Sequence, residues 1–329
     1  MPGATVRILQ VLVTLGLLWL LWAVADGPQA ARSLAAADWR WLLLAMAALT
    51  AQTILSAFRW RLTARQLGIS IGRGRAIGEY YLSQIVNQSL PGGILGDAGR
   101  AVRSRDQAGL LAAGQAVIFE RLAGQIAMFS LLAVAFVATL AVPGGLDWPP
   151  DIAVSVAILL AAAVCAAGFA GLAGHLPGAL GRGMRSLRSA LHQALAARTA
   201  LPGQIGLSIG TTVCNLAAFA FCARAVGVDL GLAATAALVP LILLAMLIPV
   251  TISGWGLREG AAAALLPIAG ATVAGALAAS VAFGLTILAA LVPGVLVLWI
   301  GPQAKRRATV QFEAGAQDGT RQRARAGCI

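Results

Sequence analysis

Residues 115–142 read QAVIFERLAGQIAMFSLLAVAFVATLAV, an apolar run with one ionisable pair, Glu120-Arg121, near its start. A helix needs roughly 20 apolar residues to cross the hydrocarbon core of a bilayer, so this run is long enough to cross. The rest of the chain has the same character: 59% of its residues are hydrophobic and 11% are charged. A soluble domain carries about 25% charged residues. The sequence therefore predicts an all-α, polytopic integral membrane protein.

Further apolar runs lie on both sides of this one. Together they predict about seven or eight transmembrane helices within a membrane domain of residues 1–301, the other runs being near 6–25, 41–57, 152–173, 205–226, 232–248 and 272–300. The first run ends in Ala23-Val24-Ala25, which is typical of a signal-peptidase site, but we expect this helix to be retained because further spans follow it. The basic segment 302–329 is expected to be a disordered tail.

The formal net charge of +12 comes from basic clusters that alternate with connections lacking Lys and Arg, such as 143–151 and 227–231. This alternation follows the positive-inside rule and predicts a bacterial inner membrane protein with both termini in the cytoplasm. Arg59 to Arg75 is expected to be a cytoplasmic flank, with Trp39, Trp41 and Trp60 in aromatic belts. No aromatic-interleaved basic platform accompanies the charge, so nucleic acid is not an expected partner.

Residues 77–97 do not have the pattern of an ordinary span. Polar side chains, among them Asn87 and Gln88, interrupt the apolar residues, and Leu90-Pro91-Gly92-Gly93 then breaks any helix. Irregular backbone is tolerated at membrane depth only where protein or a water-filled cavity satisfies its N–H and C=O groups. The segment therefore predicts a first broken or re-entrant helical element.

A second break occupies residues 249–260, PVTISGWGLREG. A short apolar run over 257–269 and a long one over 272–300 follow it. If the basic stop Lys305–Arg307 is cytoplasmic, an even number of crossings must follow residue 254. Either the short run crosses as a partial helix, or the long run is bent near Ser280 or Gly284. This parity count, the requirement for an even number of crossings, does not decide between the two.

Both breaks carry ionisable or polar side chains, and a half-helix end can hold an anionic group such as a phosphate. Adjacent helical residues point about 100° apart, so Glu120 and Arg121 are expected to pair with other helices and not with each other. Asp97 has an alternative role as the cap of a helix starting at residue 98. The candidate substrate-binding residues are Asn87, Gln88, Asp97, Arg100, Glu120, Arg121, Ser253, Arg258 and Glu259.

Three segments in this order resemble the signatures of the flippase-like family, also called the lysylphosphatidylglycerol synthase transmembrane region family. They are Asn87–Arg100 (NQSLPGGILGDAGR), Phe119–Gly124 (FERLAG) and Ser253–Gly260 (SGWGLREG). The resemblance covers about residues 5–300. It implies a membrane domain with two broken helical elements that moves lipids or lipid-linked molecules between leaflets. No soluble synthase domain follows the last run, so aminoacyl transfer is not expected.

The leading hypothesis is a lipid translocator without covalent chemistry, in which Arg100, Arg121 and Arg258 face the phosphate of an anionic headgroup in a hydrated crevice. The alternative is an accessory protein that binds a lipid-linked intermediate and partners a glycosyltransferase or another envelope-lipid enzyme. An intramembrane enzyme is disfavoured because no nucleophile–base pair or metal motif is present, and no cofactor or metal is expected. Small residues in the apolar runs permit a homo-oligomer without requiring one.

Overall fold

The computed structural model describes residues 2–89, 94–142, 145–248 and 250–294. The predicted tail, the Lys305–Arg307 stop and the break Leu90–Gly93 itself lie outside these residues. Within them the chain forms α-helices and short helical turns with no strand, which confirms the all-α prediction. The helices are α1 Pro2–Val24, α2 Gly27–Ala35, α3 Trp39–Gln66, α4 Arg73–Ser89, α5 Leu95–Arg103, α6 Gly109–Ala141, α7 Pro150–Ala173, α8 Gly178–Leu191, α9 Leu201–Ala225, α10 Leu232–Ala245, α11 Leu257–Leu265 and α12 Val273–Ala290.

Five helices in the described residues are long and apolar enough to cross a membrane: α3, α6, α7, α9 and α12. A sixth span results if α1 and α2 are counted together, although the chain bends by 92° between them. The protein is thus a multi-pass membrane protein. The predicted total of seven or eight also included the run that becomes α10, which has only 14 residues. Because 14 residues extend about 21 Å, α10 is too short to cross alone.

Helices α3 and α9 form an antiparallel pair at the centre of the bundle and define its two ends. At one end the Asp38 amide donates to the Ala225 carbonyl at 2.9 Å. At the other, Gln193 Nε2 donates to the Gln66 carbonyl at 3.0 Å. We call this second end the basic end, because it carries Arg61, Arg65, Arg73, Arg75, Arg105, Arg182, Arg185, Arg188 and Arg198.

The first broken element is a re-entrant hairpin made of α4 and α5. Arg75 at the start of α4 donates to the Arg103 carbonyl at the end of α5 at 3.0 Å, and Arg103 Nε lies 2.6 Å from Glu79 Oε2. Ser70 and Gln107, which flank the hairpin, exchange two hydrogen bonds. The hairpin therefore enters the bundle from the basic end and returns to it.

Helices α10 and α11 form a second hairpin, which enters from the opposite end. Helix α10 begins just after α9 ends, and α11 leads back to α12, whose first turns pack on α2 through Ala30, Ala274 and Ala278. Helix α12 runs unbroken through Ser280 and Gly284. The short run is therefore a partial helix, and the long run is not bent at these residues. Because α10 and α11 return to the same end of the bundle, however, the partial helix does not cross, and the crossing that the parity count required is wrong.

The two hairpins meet near their tips. Ser253 Oγ donates to the carbonyls of Asn87 at 3.0 Å and Gln88 at 3.3 Å, so the second break satisfies the last carbonyls of α4. Helix α1 covers this junction, since the Ile252 amide donates to Thr14 Oγ1 at 3.0 Å. Two re-entrant elements from opposite ends, joined inside a helical bundle, resemble the broken helices around which many transporters are built.

Candidate functional site

Five side chains of alternating charge run through the bundle beside the first hairpin. Arg121 Nη2 lies 2.6 Å from Asp97 Oδ2, and Asp97 Oδ1 lies 3.0 Å from Arg100 Nη2. The same Arg100 nitrogen lies 3.3 Å from Glu120 Oε2, and Glu120 Oε1 lies 2.7 Å from Arg59 Nη2. We call this series the charge chain. Its three guanidinium groups exceed its two carboxylates by one positive charge.

The charge chain leads from the outer surface of the bundle into its interior. The Arg121 side chain is 47% exposed and that of Asp97 12%, whereas those of Arg100 and Glu120 are 0% exposed. Charges at membrane depth are expensive unless they are paired or functional. The buried members of the charge chain therefore pair with one another inside the bundle. Arg121 is the member whose side chain is exposed at the surface of the bundle.

Four helices position the buried carboxylate of Glu120. It lies on α6 and accepts from Arg59 of α3, Arg100 of α5 and the Tyr80 hydroxyl of α4, the last at 3.3 Å. Gly124, one turn further along α6, makes room for Arg59, because a Cβ there would lie 2.9 Å from Arg59 Nη2. Arg59 also donates to Thr211 Oγ1 of α9 at 2.9 Å. The first hairpin is thus tied electrostatically to the central helix pair.

Arg100 stands out within the charge chain because part of its donor capacity is unused. Its guanidinium carbon lies 4.6 Å from the centre of the Trp60 ring and 4.5 Å from that of Tyr80. Its Nε and Nη1 atoms are buried and have no hydrogen-bond partner among the described residues. A buried unsatisfied donor costs about 1–3 kcal/mol, and more when it is charged. This geometry favours an acceptor oxygen binding to Arg100.

The second hairpin carries its own buried ion pair, Arg258–Glu259, with exposed fractions of 1% and 0%. Both side chains bond to the Ser280 hydroxyl of α12 at 3.0 Å. The other Glu259 oxygen accepts from the Gly256 amide at 2.7 Å, which caps the N-terminus of α11. Because both oxygens of its carboxylate accept hydrogen bonds from neighbouring protein groups, Glu259 chiefly stabilises the backbone of the second break.

Arg258 lies between two aromatic rings, those of Trp255 at 4.9 Å and Phe283 at 5.6 Å. Gly284 makes this arrangement possible, since a Cβ there would lie 2.3 Å from Arg258 Nη2 and 2.6 Å from the Trp255 ring. Trp255, which stands between the two glycines of the break, thus packs its ring against the Arg258 guanidinium.

The structure brings the predicted site residues into two clusters joined at the tips of the hairpins. Asp97, Arg100, Glu120 and Arg121 belong to the charge chain, Arg258 and Glu259 form the second pair, and Asn87, Gln88 and Ser253 connect them. Glu120 and Arg121 pair with other helices and not with each other, as predicted. The candidate arginines Arg100 and Arg258 face protein groups and not an open crevice.

The capping role considered for Asp97 is wrong. Helix α5 begins at Leu95, so Asp97 lies within its first turn, where its carboxylate accepts from Ser83 Oγ at 2.8 Å and from arginines. Asn87 supplies a comparable bond instead, since its Oδ1 accepts from the Gly96 amide across the break at 2.8 Å. Its Nδ2 atom is buried and has no partner among the described residues.

One expectation about the end of α3 is also wrong. Trp60 is 1% exposed and lies under Arg100, so it is not part of an aromatic belt. Arg59, the first residue of the predicted cytoplasmic flank, is 5% exposed and points into the bundle. Sequence reasoning also missed Tyr80 and Ser280. Arg59 lies three residues after Ser56 and four before Thr63, so the three share one helical face, but the sequence alone does not show that this face is buried.

A small cavity lies between Trp60 and the basic end. It has a volume of about 20 Å³ and is lined in part by Arg75, Glu79 and Arg103. This volume holds about one water molecule. Polar side chains therefore continue from the basic end to the ring on which Arg100 packs.

Comparison with known proteins identifies the family of this chain. No curated protein matches the chain significantly. The family described as the lysylphosphatidylglycerol synthase TM region matches residues 7–294, which include both hairpins and the charge chain. This is the family whose three signatures the sequence resembles, and the match extends over most of the chain. The protein therefore belongs to the lysylphosphatidylglycerol synthase transmembrane region family.

Proposed function

We propose that the protein moves an anionic lipid, or a lipid-linked anionic molecule, between the leaflets of a bacterial inner membrane. The observation that carries the proposal is the charge chain, with its excess positive charge and with two nitrogens of buried Arg100, Nε and Nη1, that have no hydrogen-bond partner in the described part of the chain. A phosphate oxygen is an acceptor that a guanidinium binds well, often through two parallel hydrogen bonds. Family membership supports a role in lipid metabolism or transport.

In this proposal the headgroup meets Arg121 first, because Arg121 is the exposed member of the charge chain. The phosphate then replaces Asp97 or Glu120 as a partner of Arg100. Each step exchanges one ion pair for another, so no charge crosses the hydrocarbon unpaired. The acyl chains stay in the bilayer, and no covalent bond changes. Because Arg100 is buried, the structure must rearrange for the headgroup to enter, and we propose that the two hairpins separate.

The distribution of charge supports an orientation for the proposed transport. The basic end carries the arginines of the connections after α3 and α7, so by the positive-inside rule we propose that it faces the cytoplasm. The first hairpin then opens from the cytoplasmic side and the second from the opposite side. Membrane lipids are the proposed partners.

Leaflet exchange in reconstituted vesicles tests the proposal. Phosphatidylglycerol or phosphatidylcholine with a fluorescent headgroup-proximal label is incorporated, and the fraction accessible to an impermeant quencher is followed over time. We expect wild-type protein to accelerate exchange of the anionic lipid several-fold over the zwitterionic lipid. Arg100→Gln should abolish this preference, and Arg100→Lys should retain part of it because the charge remains.

Arg224→Gln is the matched control. Arg224 is 53% exposed and pairs with Asp229 at the opposite end of the bundle, so its removal should leave the lipid preference unchanged. The proposal is overturned if exchange in wild-type vesicles is no faster than in protein-free vesicles. In that case, stable co-purification with a glycosyltransferase or another envelope-lipid enzyme would support the accessory function in its place.

A further inference from the structure

Helix α8, Gly178–Leu191, connects two spanning helices at the basic end and has two chemically different faces. At about 100° per residue, Leu180, Met184, Leu187 and Leu191 fall within an arc of about 60°. Arg182, Arg185, Arg188 and His192 fall on the remaining circumference. A narrow apolar stripe opposite a basic face is the pattern of a helix that lies in a membrane interface.

The apolar stripe of α8 is only partly covered by the rest of the protein, since Met184 and Leu191 are half-buried and the other two residues are exposed. Leu180 is 65% exposed and Leu187 41% exposed, and the principal neighbours of α8 are the end of α7 and the turn 192–196. Exposure of this stripe to water would cost about 25 cal/mol of free energy per Å² of apolar surface. Since α7 and α9 anchor both sides of α8 to the membrane, the bilayer is the apolar phase within reach.

The basic face is also accessible. Arg185, Arg188, Ser189 and His192 line a shallow, open depression on it. Arg185 Nη1 donates to the Gly174 carbonyl at 2.7 Å, which fixes one guanidinium beside the end of α7. Arg182 and Arg188 are exposed beside it, and Arg188 Nη1 makes a long contact of 3.5 Å with the Gly171 carbonyl. Closely spaced guanidinium groups of this kind suit phosphate oxygens.

We infer that α8 lies along the surface of the bilayer with its leucines among the acyl chains, and that its arginines bind the phosphates of anionic phospholipids. This lipid-binding surface is separate from the charge chain, and it does not depend on the proposed transport. A basic residue close to an anionic membrane surface contributes about 1 kcal/mol. The surface therefore gathers anionic lipid around the protein.

Depth-dependent quenching tests the placement of α8. Full-length protein with its four native cysteines replaced by alanine carries a fluorescent label at Leu187→Cys, or at the exposed Ser189→Cys about 160° around the helix. Both variants are reconstituted into bilayers that contain phosphatidylglycerol and a lipid with a quencher on carbon 5 of the acyl chain. We expect strong quenching at position 187 and at least twofold weaker quenching at position 189. Equal quenching, or stronger quenching at 189, overturns the placement.

Retention of lipid tests the role of the arginines. Protein extracted from mixed phosphatidylglycerol and phosphatidylcholine membranes is analysed by native mass spectrometry. Arg182→Gln with Arg188→Gln should lower the ratio of retained anionic to zwitterionic lipid several-fold, while Arg185 continues to cap α7. Arg32→Gln with Arg224→Gln, at the opposite end, removes the same charge and should not change the ratio. An unchanged ratio in the α8 variant overturns the inference, even where leaflet exchange proceeds normally.

Discussion

Glu120 is the residue on which the buried charges depend. Its carboxylate is 0% exposed and lies within hydrogen-bonding distance of Arg59 and Arg100, which come from different helices. Glu120→Ala would leave both guanidinium groups buried with one fewer anion. Breaking a buried ion pair in this way costs about 3–5 kcal/mol. We expect that loss in the free energy of unfolding, measured by denaturant titration in detergent micelles.

Glu79→Ala is the control for this prediction, because Glu79 pairs with Arg103 where both side chains are partly exposed, at 18% and 38%. Partly solvated pairs contribute about 0–1 kcal/mol. The double variant Arg59→Ala with Glu120→Ala should cost less than the sum of the two single variants, since neither partner is then left alone. Equal losses for Glu79→Ala and Glu120→Ala would contradict this role of Glu120.

The sequence allowed the prediction of Glu120 and Arg121 as site residues because charge inside a long apolar run is rare and has few structural uses. The same argument does not distinguish Arg59 from the arginines that follow it in the sequence. It stands at the edge of an apolar run, within a series of arginines typical of a cytoplasmic flank. Only the packing of α3 against α6 shows that this one arginine points inward while Arg61 and Arg65 do not.

At the scale of the elements, the first hairpin depends on a close approach between α4 and α5. A Cβ at Gly96 would lie 2.0 Å from the Ser83 carbonyl oxygen, which is backbone and cannot rotate away. Gly96→Ala should therefore force the two helices apart. We expect faster hydrogen exchange over residues 73–89 and a lower unfolding midpoint.

Gly114→Ala is the matched control for the hairpin prediction, because nothing lies within 4 Å of a Cβ at that position in α6. Alanine there should stabilise the helix by up to about 1 kcal/mol through its higher helix propensity. Unaltered exchange over residues 73–89 in Gly96→Ala would show that α4 and α5 do not pack as closely as described.

The proline and glycine residues of the two breaks predict that two helical elements are interrupted. They do not predict the end of the bundle to which each element returns. For the second element, counting crossings left two solutions with the same parity. Neither crossing occurs, because α10 and α11 form a hairpin, and the end to which this hairpin returns depends on contacts between distant parts of the chain, such as Ala30 against Ala274 and Ala278. The short run Leu257–Ala269 becomes a partial helix because Glu259 caps its start and Pro267 falls in its last turn.

At the scale of the whole molecule, the two hairpins enter from opposite ends and are held together by Ser253. The closed structure buries Arg100 and Arg258 together with their partners. In the proposed transport, a headgroup reaches Arg100 when the tips of the hairpins part. The proposed transport then requires that the contact between Ser253 and the end of α4 be reversible.

Locking the hairpin tips together tests this requirement most directly. In protein without native cysteines, Gln88→Cys and Ser253→Cys are joined by a short, reducible bifunctional thiol reagent, and leaflet exchange of labelled phosphatidylglycerol is measured in vesicles. We predict that cross-linking lowers exchange to the rate of protein-free vesicles, that reduction restores it, and that each single-cysteine variant treated alike retains it. Exchange at the uncross-linked rate, in protein shown by mass spectrometry to be fully cross-linked, would contradict transport through separation of the hairpins.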